Sequence, residues 1–209
     1  MQDLERQLPR IFQANIVRLY ERLVRRSLTS LPVHAELTFG VAPTLHDFFD
    51  RAGAQVDNYT ANEAAKAYAL TLAAVFERQL SAWAQAIVAV GGASPPSRAA
   101  RYEALLDLCA AHAGIDLVES GLGPLLVELL LVGNVVRHGE GPSCDRLRAM
   151  APQLWAYEPS EFVDIVAGPP VTSEMMRIRG ADLARYVRAA GRFWGRVDTL
   201  PMATLEVPV

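Results

Sequence analysis

From Thr60 to about Val90 the chain is apolar nearly all the way round a helix, with alanines recurring at close spacing. A helix without a polar face has no side to show to water, so other elements must cover it. That one segment commits the chain to helices packed around a central helix. Thr60-Ala61-Asn62-Glu63 reads as its start, a capping box in which the Thr and Glu side chains satisfy free amides reciprocally. Gly91-Gly92-Ala93-Ser94-Pro95-Pro96 reads as its stop and as a linker.

The remaining segments supply the cover. A first helix, about Leu4 to Leu28, places Leu8, Ile11, Ile16, Leu19, Tyr20, Leu23 and Val24 on an apolar stripe, with Pro9 marking a kink or the true start. Thr29 to Tyr59 reads as irregular, with a short helix from Thr44 that carries Asp47 in its first turn and turns Phe48 and Phe49 inward. A helix from about Arg98 to His112 buries Tyr102, Leu105, Leu106 and Cys109. Gly123-Pro124 opens an apolar helix that Gly139 ends. Ser143 is placed to cap a short helix through Cys144 to about Met150. Phe162–Ala167 and Glu174–Arg179 flank a Gly-Pro-Pro turn and predict a small β-hairpin. The last helix, about Ala181 to Val197, buries Leu183, Tyr186, Val187, Ala190, Phe193, Trp194 and Val197 at three-and-four spacing. The expectation is an all-α helical bundle of five or six helices in a single domain, 1–209. Residues 1–58 form an N-terminal helix and irregular extension, and 60–197 the helical core.

With 51% apolar residues the chain can bury a proper core, and its net charge of -3 excludes a generally basic nucleic-acid coat. Leu125 to Val136, the oiliest run, is interrupted by Glu128 and Asn134 and falls short of the roughly 20 residues a membrane span needs. The N-terminus carries early charges and does not read as a secretory signal. Cys109 and Cys144 show no metal-ligand spacing, so free thiols in a reducing, cytoplasmic setting are expected. Cys144, early in a short helix, could act as a thiol nucleophile, but a buried structural cysteine fits better. His34, His46 and His112 lack metal-binding company, and no phosphate-binding glycine loop or nucleophile elbow is present, so no metal and no cofactor are expected.

The chemistry-bearing stretch is Leu131-Val132-Gly133-Asn134-Val135-Val136-Arg137-His138-Gly139-Glu140-Gly141. An apolar helix ends there on Asn, Arg and His before breaking at glycine. One reading is structural: Arg137 and His138 complement the helix dipole and Gly139 supplies a left-handed cap. The stretch also resembles the signature of HEPN domains, in which Arg, a polar residue and, a few positions on, His close a helix of a bundle. Asn134 and His138 match that signature, while Gly133 stands where the Arg would be. The order of long helices, motif helix and final packing helix over Thr60 to Val197 resembles the family as well.

The resemblance implies metal-independent RNA cleavage at a composite site formed across a homodimer through the motif helix. His138 would be the acid–base residue, with Asn134, Arg137 and Glu140 in support, Glu140 orienting the imidazole. Such chemistry needs a proton carrier and a cation for the charge developing on phosphate. Gly133 cannot supply that cation, which predicts an inactive or weakly active domain unless Arg137, Arg78 or Arg101 compensates. HEPN domains recur in toxin–antitoxin and antiphage systems, so RNA and a cognate antitoxin or defence-system protein are the implied partners. The alternative is a non-catalytic scaffold or regulatory subunit that binds a protein through the motif-helix face; a bundle unrelated to the family is a third. Two arginine stripes bear on the RNA reading: Arg185, Arg188, Arg192 and Arg196 on the last helix, and Arg18, Arg22 and Arg25 with adjacent Arg26 on the first. Each is either a solvated face or a track for RNA phosphates. Trp83, Trp155, Tyr186 and Trp194 read as packing residues.

Overall fold

In the computed structural model, residues 2–38, 40–91, 102–156 and 172–208 are described, and every structural statement below concerns them. The architecture is an all-α bundle. Helix α1 (Gln2–Leu19) passes through a π-helical turn (Tyr20–Val24) into α2 (Arg25–Ser30). There follow α3 (Leu45–Gly91), α4 (Tyr102–His112), α5 (Leu122–His138), α6 (Pro142–Met150) and α7 (Gly180–Val197), with 3-10 turns at Pro152–Trp155 and Ser173–Met175. Helix α5 packs against α3, α6 and α7, while α1 lies along α7 and α4 along α3. Ile16, Tyr20 and Val24 belong to the same buried core as Phe76, Leu126 and Trp194, so the N-terminal helix is part of the bundle. Phe76 meets Phe193 and Trp194 edge-on at 5.7 and 5.8 Å, and Phe12 meets Trp194 at 4.9 Å. Such pairs add about 0.5–1.5 kcal/mol each beyond the area they bury.

Several expectations change at this level. The first helix does not bury its whole stripe, for Ile11 and Leu23 are exposed. Helix α3 does not begin at Thr60. Thr44 caps it: Asp47 N–H donates to Thr44 Oγ1 at 3.1 Å, and Thr44 N–H donates to Asp47 Oδ2 at 3.1 Å. Nothing between breaks it, since the lone Gly53 costs an internal position only about 1 kcal/mol. The Thr60–Glu63 pattern lies mid-helix, and Glu63 accepts from Lys66 Nζ at 2.7 Å instead. At 47 residues α3 is about 70 Å long, so its first turns overrun the bundle. That is why Phe48 and Phe49 do not face inward: they are 56% and 61% exposed. Ser143 caps nothing; Gly141 precedes α6 and Pro142 occupies its first turn.

Of the expected hairpin, Phe162–Ala167 lies outside the described residues, as does the segment after Gly91. Its other half forms no strand. Asn62 on α3 donates from Nδ2 to the Met176 carbonyl at 3.1 Å, and its Oδ1 accepts from Ile178 N–H at 3.0 Å. One amide side chain thus does for this extended segment what a neighbouring strand would have done.

Candidate functional site

Helix α5 ends as the sequence requires. Gly139 adopts φ +71°, a conformation that side chains with a Cβ disfavour, and its N–H returns to the Val135 carbonyl at 2.8 Å. The last turn therefore presents Arg137 and His138 to solvent. Neither side chain has a hydrogen bond or ion pair among the described residues. Asn134 is half-buried and donates from Nδ2 to Ser143 Oγ at 3.5 Å, a long contact that ties α5 to α6.

Glu140 does not orient the imidazole. Arg148 on α6 binds both of its carboxylate oxygens, at 2.9 and 2.8 Å, and the Ser173 amide donates to the same carboxylate. The Arg148 guanidinium holds its carboxyl below the usual carboxylate range. A bidentate arginine offers two parallel charge-assisted bonds, which the neighbouring histidine cannot match. Arg148 and Ser173 escaped the sequence reading; the signal available was an arginine two turns into the helix that follows Gly141.

Gly133 is buried against α3. A Cβ built on it would stand 2.9 Å from the Ala73 Cβ and 3.8 Å from Leu70 Cδ1. The position matching the family's arginine therefore faces the packed centre of the bundle, and no guanidinium can leave it for a phosphate. Arg78 does not compensate. Lys66 Nζ donates to the Glu174 carbonyl at 2.7 Å, beside the Ser173 that Glu140 holds, which sets the Lys66 level of α3 at the α5 terminus. Arg78 lies twelve residues further on, about 18 Å along the axis, beyond the reach of its side chain. Arg101 lies outside the described residues.

The arginine stripe of α7 divides. Arg185 turns inward, donating from Nη1 to Glu128 Oε2 at 3.1 Å, from Nη2 to Glu128 Oε1, and from Nε to Asp182 Oδ1 at 3.2 Å. Tyr186 also donates to Glu128, at 2.6 Å. Glu128 is 5% exposed, so the pair binds α5 to α7 from within; this corrects the expectation that Arg185 contacts RNA. Arg188 is half-buried, and its charge reaches Tyr20 on the π-turn. Arg192 and Arg196 are exposed and share a cleft with Ser120, Leu122, Leu205 and Glu206. On the first helix Arg18, Arg22 and Arg26 are exposed, while Arg25 pairs with Glu21.

The thiols are structural. Both cysteines are buried; burial pushes Cys109 up to about 12 and raises Cys144 as well, so neither is a ready thiolate. Trp194 spends its indole N–H on Gln79 Oε1 at 2.8 Å within the core. Among the described residues no group of His, Cys, Asp and Glu is arranged to hold a metal ion, and no helix is long and apolar enough to cross a membrane. Comparison with protein-family models, with curated proteins and with solved structures finds no match to this chain.

Proposed function

We propose that this chain is a non-catalytic, HEPN-like module of a bacterial toxin–antitoxin or antiphage defence system, acting in the cytoplasm, whose RNA-directed role is binding and not cleavage. The observation that carries this reading is the pairing of a buried Gly133 with a solitary His138. Hydrolysis of an RNA phosphodiester needs charge stabilisation of about several kcal/mol at the phosphate. The position where the family places its cation is closed by Ala73, and the carboxylate that might orient the histidine is held by Arg148 and Ser173. Arg192 and Arg196, joined by Arg18 and Arg22 on the neighbouring helix, are exposed cations without a carboxylate partner, suited to phosphate contacts. The rival reading, a protein partner docked on the motif-helix face, has little surface to use, because Leu125, Val127, Leu130 and Val136 already pack partly against the core.

The test measures cleavage and binding of one labelled RNA pool without added metal, using wild type, His138→Ala, and Arg192→Glu with Arg196→Glu. The expected result is no cleavage by any variant, and salt-sensitive binding that the arginine variant loses. Cleavage by wild type that disappears in His138→Ala would falsify the non-catalytic reading.

A further inference from the structure

The first four turns of α3 carry an apolar face that nothing in the fold covers. Leu45, Phe48, Phe49, Ala52, Val56 and Tyr59 recur at three-and-four spacing and so share one side of the helix. Leu45 is 70% exposed, Phe48 56%, Phe49 61% and Val56 50%, and no residue of α3 is buried before Asn58. The chain ahead of the helix crosses one edge only: Arg51 Nη1 donates to the Gly40 carbonyl at 3.2 Å, and Leu37, Thr38, Gly40 and Ala42 border Phe48 and Ala52.

We propose that this face pairs with the same face of a second copy, antiparallel, about a two-fold axis at the level of Ala52 and Gly53. The residue order is self-complementary under that operation. Phe48 and Phe49 of one copy meet Val56 of the other, Leu45 meets Tyr59, and the two smallest residues fall at the crossing, where helices approach most closely. His46, on the edge away from the covering loop, comes within a turn of the second copy's Asp57, and the symmetry repeats that contact. In the single chain His46 reaches only the exposed Asp50, at 3.3 Å.

Size and charge point the same way. The two phenyl rings alone leave about 200 Å² in water, and Leu45, Val56 and the exposed Val33 and Val41 of the preceding segment add to it. A standard interface needs roughly 800 Å² from each partner, with its apolar part at the centre. Between Leu31 and Tyr59 stand Glu36, Asp47, Asp50 and Asp57 against Arg51 alone, so an anionic membrane or a nucleic acid is repelled from this face. The pair stands independently of the RNA reading, because the arginine faces lie on other helices.

Sedimentation velocity on the full chain tests it. Wild type is expected to sediment as a dimer, and the Phe48→Glu, Phe49→Glu variant as a monomer with unchanged circular dichroism, since both rings are already in water. A Cβ at Gly53 meets nothing within 4 Å, so Gly53→Cys keeps the fold and should form a disulfide-linked dimer on mild oxidation. Val118→Cys, at another exposed site, should not, and the native thiols are buried. A monomeric wild type, a dimer that survives the double phenylalanine change, or cross-linking at Val118→Cys in place of Gly53→Cys overturns the proposal.

Discussion

At Gly133 the absent side chain is a packing device: the Ala73 Cβ would stand 2.9 Å from any methyl group there, and both atoms belong to the cores of their helices. Neither helix can shift without disturbing a bundle packed to crystal-like density. Gly133→Ala is therefore expected to destabilise the chain by about 1–3 kcal/mol in urea denaturation, and Ala73→Gly made alongside it should restore most of the loss. If Gly133→Ala alone proves neutral, the close approach of α3 and α5 is wrong. The sequence shows why this was illegible. Gly133 sits inside an unbroken apolar run, and helical spacing gives which residues share a face but not which face meets which neighbour. Glu140 teaches the same lesson through charge. Its carboxyl lies below its ordinary value of 4.5 because Arg148 favours the charged form. A lowered pKa means stability that is present above that ordinary value and lost as pH falls through the folded one. The stability difference between wild type and Glu140→Gln should thus be flat above about pH 5 and shrink in acid. A difference that grew on acidification would refute the pairing.

Helices α5 and α7 were legible as elements because each has a stop signal and a run of apolar residues that fits one period. The start of α3 was not, since a capping pattern is read locally and two of them, at Thr44 and Thr60, compete within one helix. The upstream one wins because its Asp47 is bonded back to Thr44 and nothing beyond it halts propagation. What joins α5 to α7 was also hidden: Glu128 looked like an interruption of an oily helix and is the acceptor for Arg185 and Tyr186. Removing one partner of such a pair costs about 3–5 kcal/mol when it is fully buried. Arg185 keeps 25% of its side chain in water, so Glu128→Ala should fall at or below the low end of that range. The C-terminal segment makes a third contact of this kind. Gln13 Nε2 donates to the Gly191 and Thr204 carbonyls at 2.9 and 2.8 Å, and a Cβ on Gly195 would lie 2.2 Å from the Thr204 oxygen. Gly195→Ala must push that strap off α7. A melting-temperature loss is expected in the full chain and should largely vanish in a chain ending at Asp198.

On the whole molecule, charge is the property that a sequence total conceals. The net value of -3 predicts repulsion from RNA, yet the acidic residues gather around the start of α3 and in internal pairs, while free arginines collect on α1 and α7. Binding to a polyanion then depends on a few contacts, each of which releases counterions. For single-stranded RNA, log K should fall with log salt by about 0.7 for every phosphate neutralised. If Arg192 and Arg196 are two of those contacts, Arg192→Gln with Arg196→Gln should lower the slope by about 1 to 2 while leaving the melting temperature unchanged, because both side chains are exposed. Arg185→Gln should do the reverse, since its guanidinium is spent on Glu128: the protein weakens and the salt slope stays. The two variants lie two turns apart on one helix face, so a generic loss of positive charge would move them together. Only the division seen in the structure, one arginine turned inward and two left in water, separates them. Equal slope changes in both would show that α7 meets RNA along its whole length and that the buried pair opens to allow it.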